Sequence, residues 1–307
     1  RNEDPGQLDA LRGGAMSSYV SFRVEDDGSL TYLSRIESED GHKATQVLVP
    51  HTNPGLAFGN DFQVDADFDG DGVMSRLFGE DQQVRGRLQS FVLTADGELV
   101  QGERTSIPET VDPAPEVPSL PLGIWDHPTR NLVYVGLVTR NQLGVYSYDD
   151  HGALSFVAAV PNSGQDICWL RTNKAGTRLY AVNNLPREDA GDMTSTITVF
   201  DISGEHAESP VEIARTAIPL PLGSFVNNRV AEQPASTAFQ LTLDEDEAFL
   251  YVLNQRIDQT DGNASQDGNV LHIFAVADDG TLALVGSRDL LDDGVSHRAR
   301  PQGLVAI

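Results

Sequence analysis

Short apolar runs separated by turn residues recur along the chain from about Ser17 onward. Between Pro121 and Val160 four follow in order, at Gly123–Trp125, Leu132–Gly136, Leu143–Tyr148 and Leu154–Val160. Val, Ile, Tyr and Phe dominate them, and His127-Pro128, Arg140-Asn141 and His151-Gly152 interrupt them. Branched and aromatic side chains suit a pleated, half-buried surface, so the pattern predicts four short strands. The same succession returns at Ile167–Leu170, Arg178–Asn183, Thr196–Asp201 and Val211–Ala217. It returns again at Ala238–Leu243, Ala248–Asn254, Val270–Val276 and Leu282–Arg288. Upstream, Gln46–Val49, Gly55–Gly59, Arg87–Thr94 and Glu98–Thr105 form another unit, and Ser18–Val24 with Ser29–Ile36 reads as a closing pair. The final RPQGLVAI matches an opening strand. Apolar residues at helical spacing are scarce.

The turn before each closing strand is the best-matched feature. The four examples read VEDDGSLTYL, LTADGELVQG, YDDHGALSFV and VADDGTLALV. In each, glycine follows an acidic or histidine cluster and leucine follows soon after. That is the signature of a tight hairpin whose glycine takes a positive φ. Four-stranded units of roughly 40–60 residues, each closed by such a hairpin, predict an all-β fold, a β-propeller of four-stranded blades. The unmatched pair at the start and the unmatched strand at the end predict a ring closed by pairing of the two termini, which removes two exposed edges. The expected layout is a polar segment over 1–16 and one propeller domain over 17–307.

Tyr134-Val135-Gly136, Tyr180-Ala181-Val182-Asn183 and Tyr251-Val252-Leu253-Asn254 resemble the "YVxN" second strands of lactonase-type propellers. Pro301-Gln302-Gly303, and more loosely Pro121-Leu122-Gly123, are similar to the proline-glycine start of their first strands. That family includes 6-phosphogluconolactonase-like and carboxymuconate-cyclising enzymes. The resemblance implies seven blades, of which about five are visible here, and a reaction on the lactone of a small organic or sugar acid. It carries no catalytic residue over. The family often places histidines at the start of first strands, where this chain has Gln46, Gly123, Thr237 and Gly303.

Charge narrows the partners. With 21 basic and 46 acidic residues the net charge is −25. Such a surface repels nucleic-acid phosphates and anionic lipid. No apolar run approaches the ~18 residues of a membrane span. The acidity suits a salty or calcium-containing medium, so an extracellular or periplasmic setting is expected over the cytoplasm. The single cysteine, Cys168, excludes an internal disulfide and a Cys-based zinc site and reads as a buried small hydrophobe.

Chemistry concentrates on the loops between second and third strands, Asn60–Gly86, Asn183–Ser195 and Asn254–Asn269, which are long and acidic. In a propeller these loops share a face with the blade-to-blade linkers. In the first, DADFDGDGVMS places Asp67, Asp69 and Asp71 at the first, third and fifth positions of a calcium loop, with glycine sixth. Phe78 stands where an EF-hand needs its bidentate glutamate, and no helices flank the loop. A structural Ca2+ site is expected, held by Asp65, Asp67, Asp69, Asp71, Val73 through its carbonyl, and Ser75. Lactone chemistry needs a base for water, an acid for the ring oxygen and a cation for the substrate's anionic group. On the linkers the candidates are His42, Asp166, His297 and Arg300, with Lys43, Gln165 and Arg298 beside them. SHRARPQG is the only locally basic stretch and reads as an anion clamp. The alternative is a non-catalytic secreted or surface propeller that binds protein or glycan through calcium-stabilised acidic loops. An enzyme should gather the four candidates in one pocket.

Overall fold

The computed structural model describes residues 17–39, 42–63, 86–111, 119–185, 194–219, 222–223, 233–234, 236–256, 268–296, 299 and 301–306. Among these residues the regular structure is β, with three short 3-10 turns over 138–140, 204–207 and 290–293 and no α-helix. No helix is long and apolar enough to cross a membrane.

Four antiparallel four-stranded sheets, the blades, carry the fold. The first comprises β3 (His42–Leu48), β4 (Leu56–Gln63), β5 (Arg87–Leu93) and β6 (Leu99–Ser106). The second comprises β7 (Pro121–Asp126), β8 (Leu132–Leu137), β9 (Gln142–Tyr148) and β10 (Leu154–Pro161). The third comprises β11 (Gln165–Thr172), β12 (Arg178–Leu185), β13 (Thr196–Asp201) and β14 (Val211–Ala217). The fourth comprises β17 (Ser236–Leu243), β18 (Phe249–Arg256), β19 (Val270–Val276) and β20 (Leu282–Asp289). Two two-stranded sheets accompany them, β1 (Ser18–Val24) with β2 (Leu30–Glu37), and β15 (Leu222–Gly223) with β16 (Gln233–Pro234). Residues 301–306 carry no strand pairing among the described residues, although the sequence pattern predicts a strand there.

The chain forms two compact units. One holds the described residues up to Arg140 together with Gly144–Ala159; the other holds Asn141–Leu143 and Val160 onward. The first is built on Leu56, Phe58, Leu88, Val133, Val135 and Tyr146, all essentially buried. The second is built on Tyr180, Val182, Ile197, Val199, Val252 and Phe274. Alternating strand positions supply most of these side chains and so place them on one face of each sheet.

The four predicted hairpins form as read. Gly28, Gly97, Gly152 and Gly280 have φ of +80°, +84°, +83° and +87°. In the tightest-packed case, a Cβ on Gly280 would run into the side chain of Arg178, whose Nε donates to the Asp279 carbonyl at 2.8 Å.

First strands begin earlier than the apolar runs suggest. A register shift interrupts each one, between Ala44 and Gln46, Pro121 and Ile124, Ile167 and Leu170, and Ala238 and Gln240. A bulge absorbs an extra residue and lets pairing continue past it toward the strand start. His42, Lys43, Gln165 and Asp166, expected on linkers, therefore lie in β3 and β11.

Candidate active site

At the end of three second strands stands a fully buried polar residue: Asp61 in β4, Asn183 in β12 and Asn254 in β18. They are equivalent by register, being paired with Ala44, Ile167 and Ala238 on the neighbouring first strands. Asp61 and Asn183 each clamp the strand ends around them in their own way. The Asp61 carboxylate accepts from Tyr19 Oη at 2.8 Å, Ser38 Oγ at 3.3 Å, Arg87 Nε at 3.0 Å and Gln89 Nε2 at 2.5 Å. Burial and the neighbouring Asp61 charge push the Tyr19 phenol far up, so it stays a neutral donor. Arg87 also reaches Glu39 at 2.5 Å, and Arg104 meets the other Glu39 oxygen at 2.6 Å. Asn183 Oδ1 accepts from Asn162 Nδ2 at 2.7 Å, and its Nδ2 donates to Thr196 Oγ1 at 3.0 Å and Thr198 Oγ1 at 2.8 Å. These groups are locks, satisfied within the protein.

Asp166 is different. It sits level with Asn184, between the Gln165–Leu185 and Ile167–Asn183 pairs. Its backbone is left-handed at φ 62°, and its N–H donates to Asn141 Oδ1 at 2.8 Å. Asn141 is itself left-handed, at φ 48°. A left-handed non-glycine residue costs about 1–2 kcal/mol, and aspartate tolerates it better than most. The carboxylate is half-buried and accepts no hydrogen bond among the described residues. Loss of hydration pushes its pKa up from 3.8 to about 6. Strain together with an unpaired, desolvated carboxyl is the pattern of a working group rather than a lock.

The surroundings are rigid. The Asn184 carbonyl accepts from Ser195 Oγ at 2.6 Å and Thr237 Oγ1 at 2.7 Å. Asn184 Oδ1 is buried without a hydrogen-bond partner among the described residues. Cys168 is fully buried, and burial pushes its thiol far up; a contact from Asn184 opposes this and the Asp166 charge adds to it. The thiol is therefore no nucleophile, as the sequence implied. A carboxyl near pKa 6, beside fixed polar groups, can take a proton from water and return it near neutral pH.

Of the four predicted catalytic residues, His42 and Asp166 are described. His42 is half-buried at the start of β3 in the first unit. Its charge is among the influences that lower the Glu39 carboxyl, the Arg87 hydrogen bond being the largest. Asp166 belongs to the second unit. Register makes Lys43, opposite Phe62, the counterpart of Asp166, and His42, opposite Gln63, the counterpart of Gln165. His297 and Arg300 lie outside the described residues, as do Asp65, Asp67, Asp69, Asp71, Val73 and Ser75. Asp61, read as part of an acidic loop, belongs instead to β4 and is consumed by four donors. Sequence reasoning missed Asn141 and Asn184. The asparagine ending YVxN marked the lock position, but nothing marked the residue after it.

No protein-family model matches the chain, and no curated protein sequence does either. Solved structures do match. A periplasmic gluconolactonase from Pseudomonas aeruginosa superposes with a TM-score of 0.63 at 19% identity, over 91% of this chain and 67% of its own length. The chain carries the lactonase-like β-propeller fold. A proposed 6-phosphogluconolactonase from Bacteroides fragilis gives 0.57 at 15% identity, over 88% of this propeller and 64% of its own length. Hydrazine synthase from Kuenenia stuttgartiensis gives 0.51 at 10%, over 87% and 59%. The propeller thus spans about two thirds of the length of these structures, or less. Neighbours of such different names share an architecture, and at these identities the likeness speaks for fold alone.

Proposed function

We propose that this propeller acts on the lactone of a small organic or sugar acid, with Asp166 as the group that moves the proton. The observation that carries the reading is the strained, half-buried and unpartnered Asp166 carboxyl with its pKa raised to about 6. In the hydrolytic direction the Asp166 carboxylate takes a proton from water as its oxygen adds to the lactone carbonyl. The ring C–O bond then breaks, and Asp166 returns the proton to the leaving oxygen. The products are the open acid and its hydroxyl, and ring closure is the reverse. The substrate's anionic group calls for a cation. His297 and Arg300, with Arg298, are proposed for that role on the strength of their basic stretch. His42 is proposed as a further acid–base group. The fold shared with a periplasmic gluconolactonase supports both the substrate class and an extracytoplasmic setting.

The test is a panel of γ- and δ-lactones of sugar acids, followed by proton release, with the wild type and Asp166→Asn. Wild-type hydrolysis should rise through about pH 6 as Asp166 ionises, and Asp166→Asn should lose about 10²-fold or more in kcat. Hydrolysis unchanged in Asp166→Asn would overturn the role of Asp166. No turnover by wild type of any lactone, with or without added calcium, would favour the binding scaffold.

A further inference from the structure

The lock position is satisfied in the first and third blades and not in the fourth. Two bonds define it. One runs along the diagonal to the third strand, Gln89 Nε2 to Asp61 at 2.5 Å and Asn183 Nδ2 to Thr198 Oγ1 at 2.8 Å. The other comes from the incoming linker, Ser38 Oγ to Asp61 and Asn162 Nδ2 to Asn183. Ser38, Asn162 and Ile218 are counterparts, because each donates its backbone N–H to the residue just before a third strand (Ser17, Asn141 and Ser195; β1 is the third strand of its pair).

In the fourth blade the lock residue is Asn254 and the diagonal residue is His272, which is paired with Val252 and lies two positions beyond Val270, the partner of Asn254. The linker counterpart is Ile218, fully buried and unable to donate a side-chain bond. Asn254 is 0% exposed and His272 2% exposed. Among the described residues Asn254 Nδ2, Asn254 Oδ1 and His272 Nε2 have no hydrogen-bond partner. On its other side His272 Nδ1 meets Ser287 Oγ at 2.7 Å, which fixes the ring. Three buried polar atoms thus stand at the register positions that hydrogen-bond directly in two other blades. Leaving them unpaired would cost about 1–3 kcal/mol each, more than marginal stability tolerates. Direct Asn254–His272 bonding would satisfy one pair and strand the third atom.

We infer that the fourth blade has an internal water site at this diagonal, where ordered water donates to Asn254 Oδ1, accepts from Asn254 Nδ2 and hydrogen-bonds His272 Nε2. Water fits because the site needs a neutral donor and acceptor together. It takes the part that Asn162 and Thr198 play in the third blade. The site lies one residue along from Thr237, whose hydroxyl holds the Asn184 carbonyl level with Asp166.

A crystal structure of the full chain showing ordered solvent, with melts of Asn254→Leu and His272→Thr, tests this. Wild type should show a solvent peak within hydrogen-bond distance of Asn254 and His272 Nε2. Asn254→Leu should lower the Tm by about 3–6 °C, since it removes bonded groups. His272→Thr should rebuild the third-blade diagonal, Asn254 Nδ2 donating to the new hydroxyl, and lose the peak. A direct Asn254–His272 bond without a peak would overturn the inference, as would an Asn254→Leu variant that melts higher than wild type. If Asn254→Leu fails to fold, the wild-type and His272→Thr structures still decide.

Discussion

Replacing Asp61 by asparagine makes the first blade read at that position as the third and fourth do, yet the surroundings forbid the exchange. All four partners of Asp61 are donors: Tyr19, Ser38, Arg87 and Gln89. An asparagine keeps one acceptor oxygen and adds two N–H groups. The Tyr19 and Ser38 hydroxyls can rotate to accept. Gln89 can turn its amide, whose Oε1 has no hydrogen-bond partner among the described residues, toward the new N–H. Arg87 can do neither, and its side chain is only 9% exposed. Removing one partner of a buried ion pair costs about 3–5 kcal/mol. Glu39 still meets Arg87, but it is half-exposed and shared with Arg104, so it offsets little. The expected loss is about 3 kcal/mol, or a Tm lower by roughly 6–12 °C, from the usual 2–4 °C per kcal/mol in larger domains. Melts followed by circular dichroism at pH 7 measure it. Adding Arg87→Leu to Asp61→Asn should recover much of the loss, because it removes the stranded charge. A single variant within about 1 kcal/mol of wild type, or a double variant no better than the single, would refute this account of the lock.

Asp166 should be a stability liability as well as the working group. Its folded pKa lies above its ordinary value, so its stabilising contribution is present below about pH 3.8 and lost as pH rises through about 6. Asp166→Asn should therefore melt higher than wild type at pH 8 and equal to it near pH 3.5; the reverse order would sink the assignment. Gly28→Ala meets open space and bears only the positive-φ cost of about 1 kcal/mol, whereas Gly280→Ala also displaces Arg178. Paired chemical denaturation should rank Gly280→Ala the more damaging. From the Asp67–Ser75 pattern, chelation should lower the Tm and added calcium restore it. An unchanged melt under chelator would remove calcium from that loop.

The blades were legible because their signals are local. A positive-φ glycine between two apolar runs names its hairpin wherever it occurs, and Gly28, Gly97, Gly152 and Gly280 all obey. Asp166 was legible as a candidate by its place before a first strand. Its half-burial, left-handed backbone and unpartnered carboxyl were not, since these depend on Asn141, far away in sequence. Asp61 shows the limit most plainly. By composition it belongs with the loop aspartates beside it, and the fold instead buries it under four donors drawn from three separate segments. Asn183 and Asn254 share one motif, yet one is satisfied and the other is not. Periodicity and turn chemistry in the sequence determined the repeated strands and hence the propeller. Which polar residues are locked and which stay available was decided only by tertiary contacts, because hydrogen-bond satisfaction is a property of the neighbours that folding supplies.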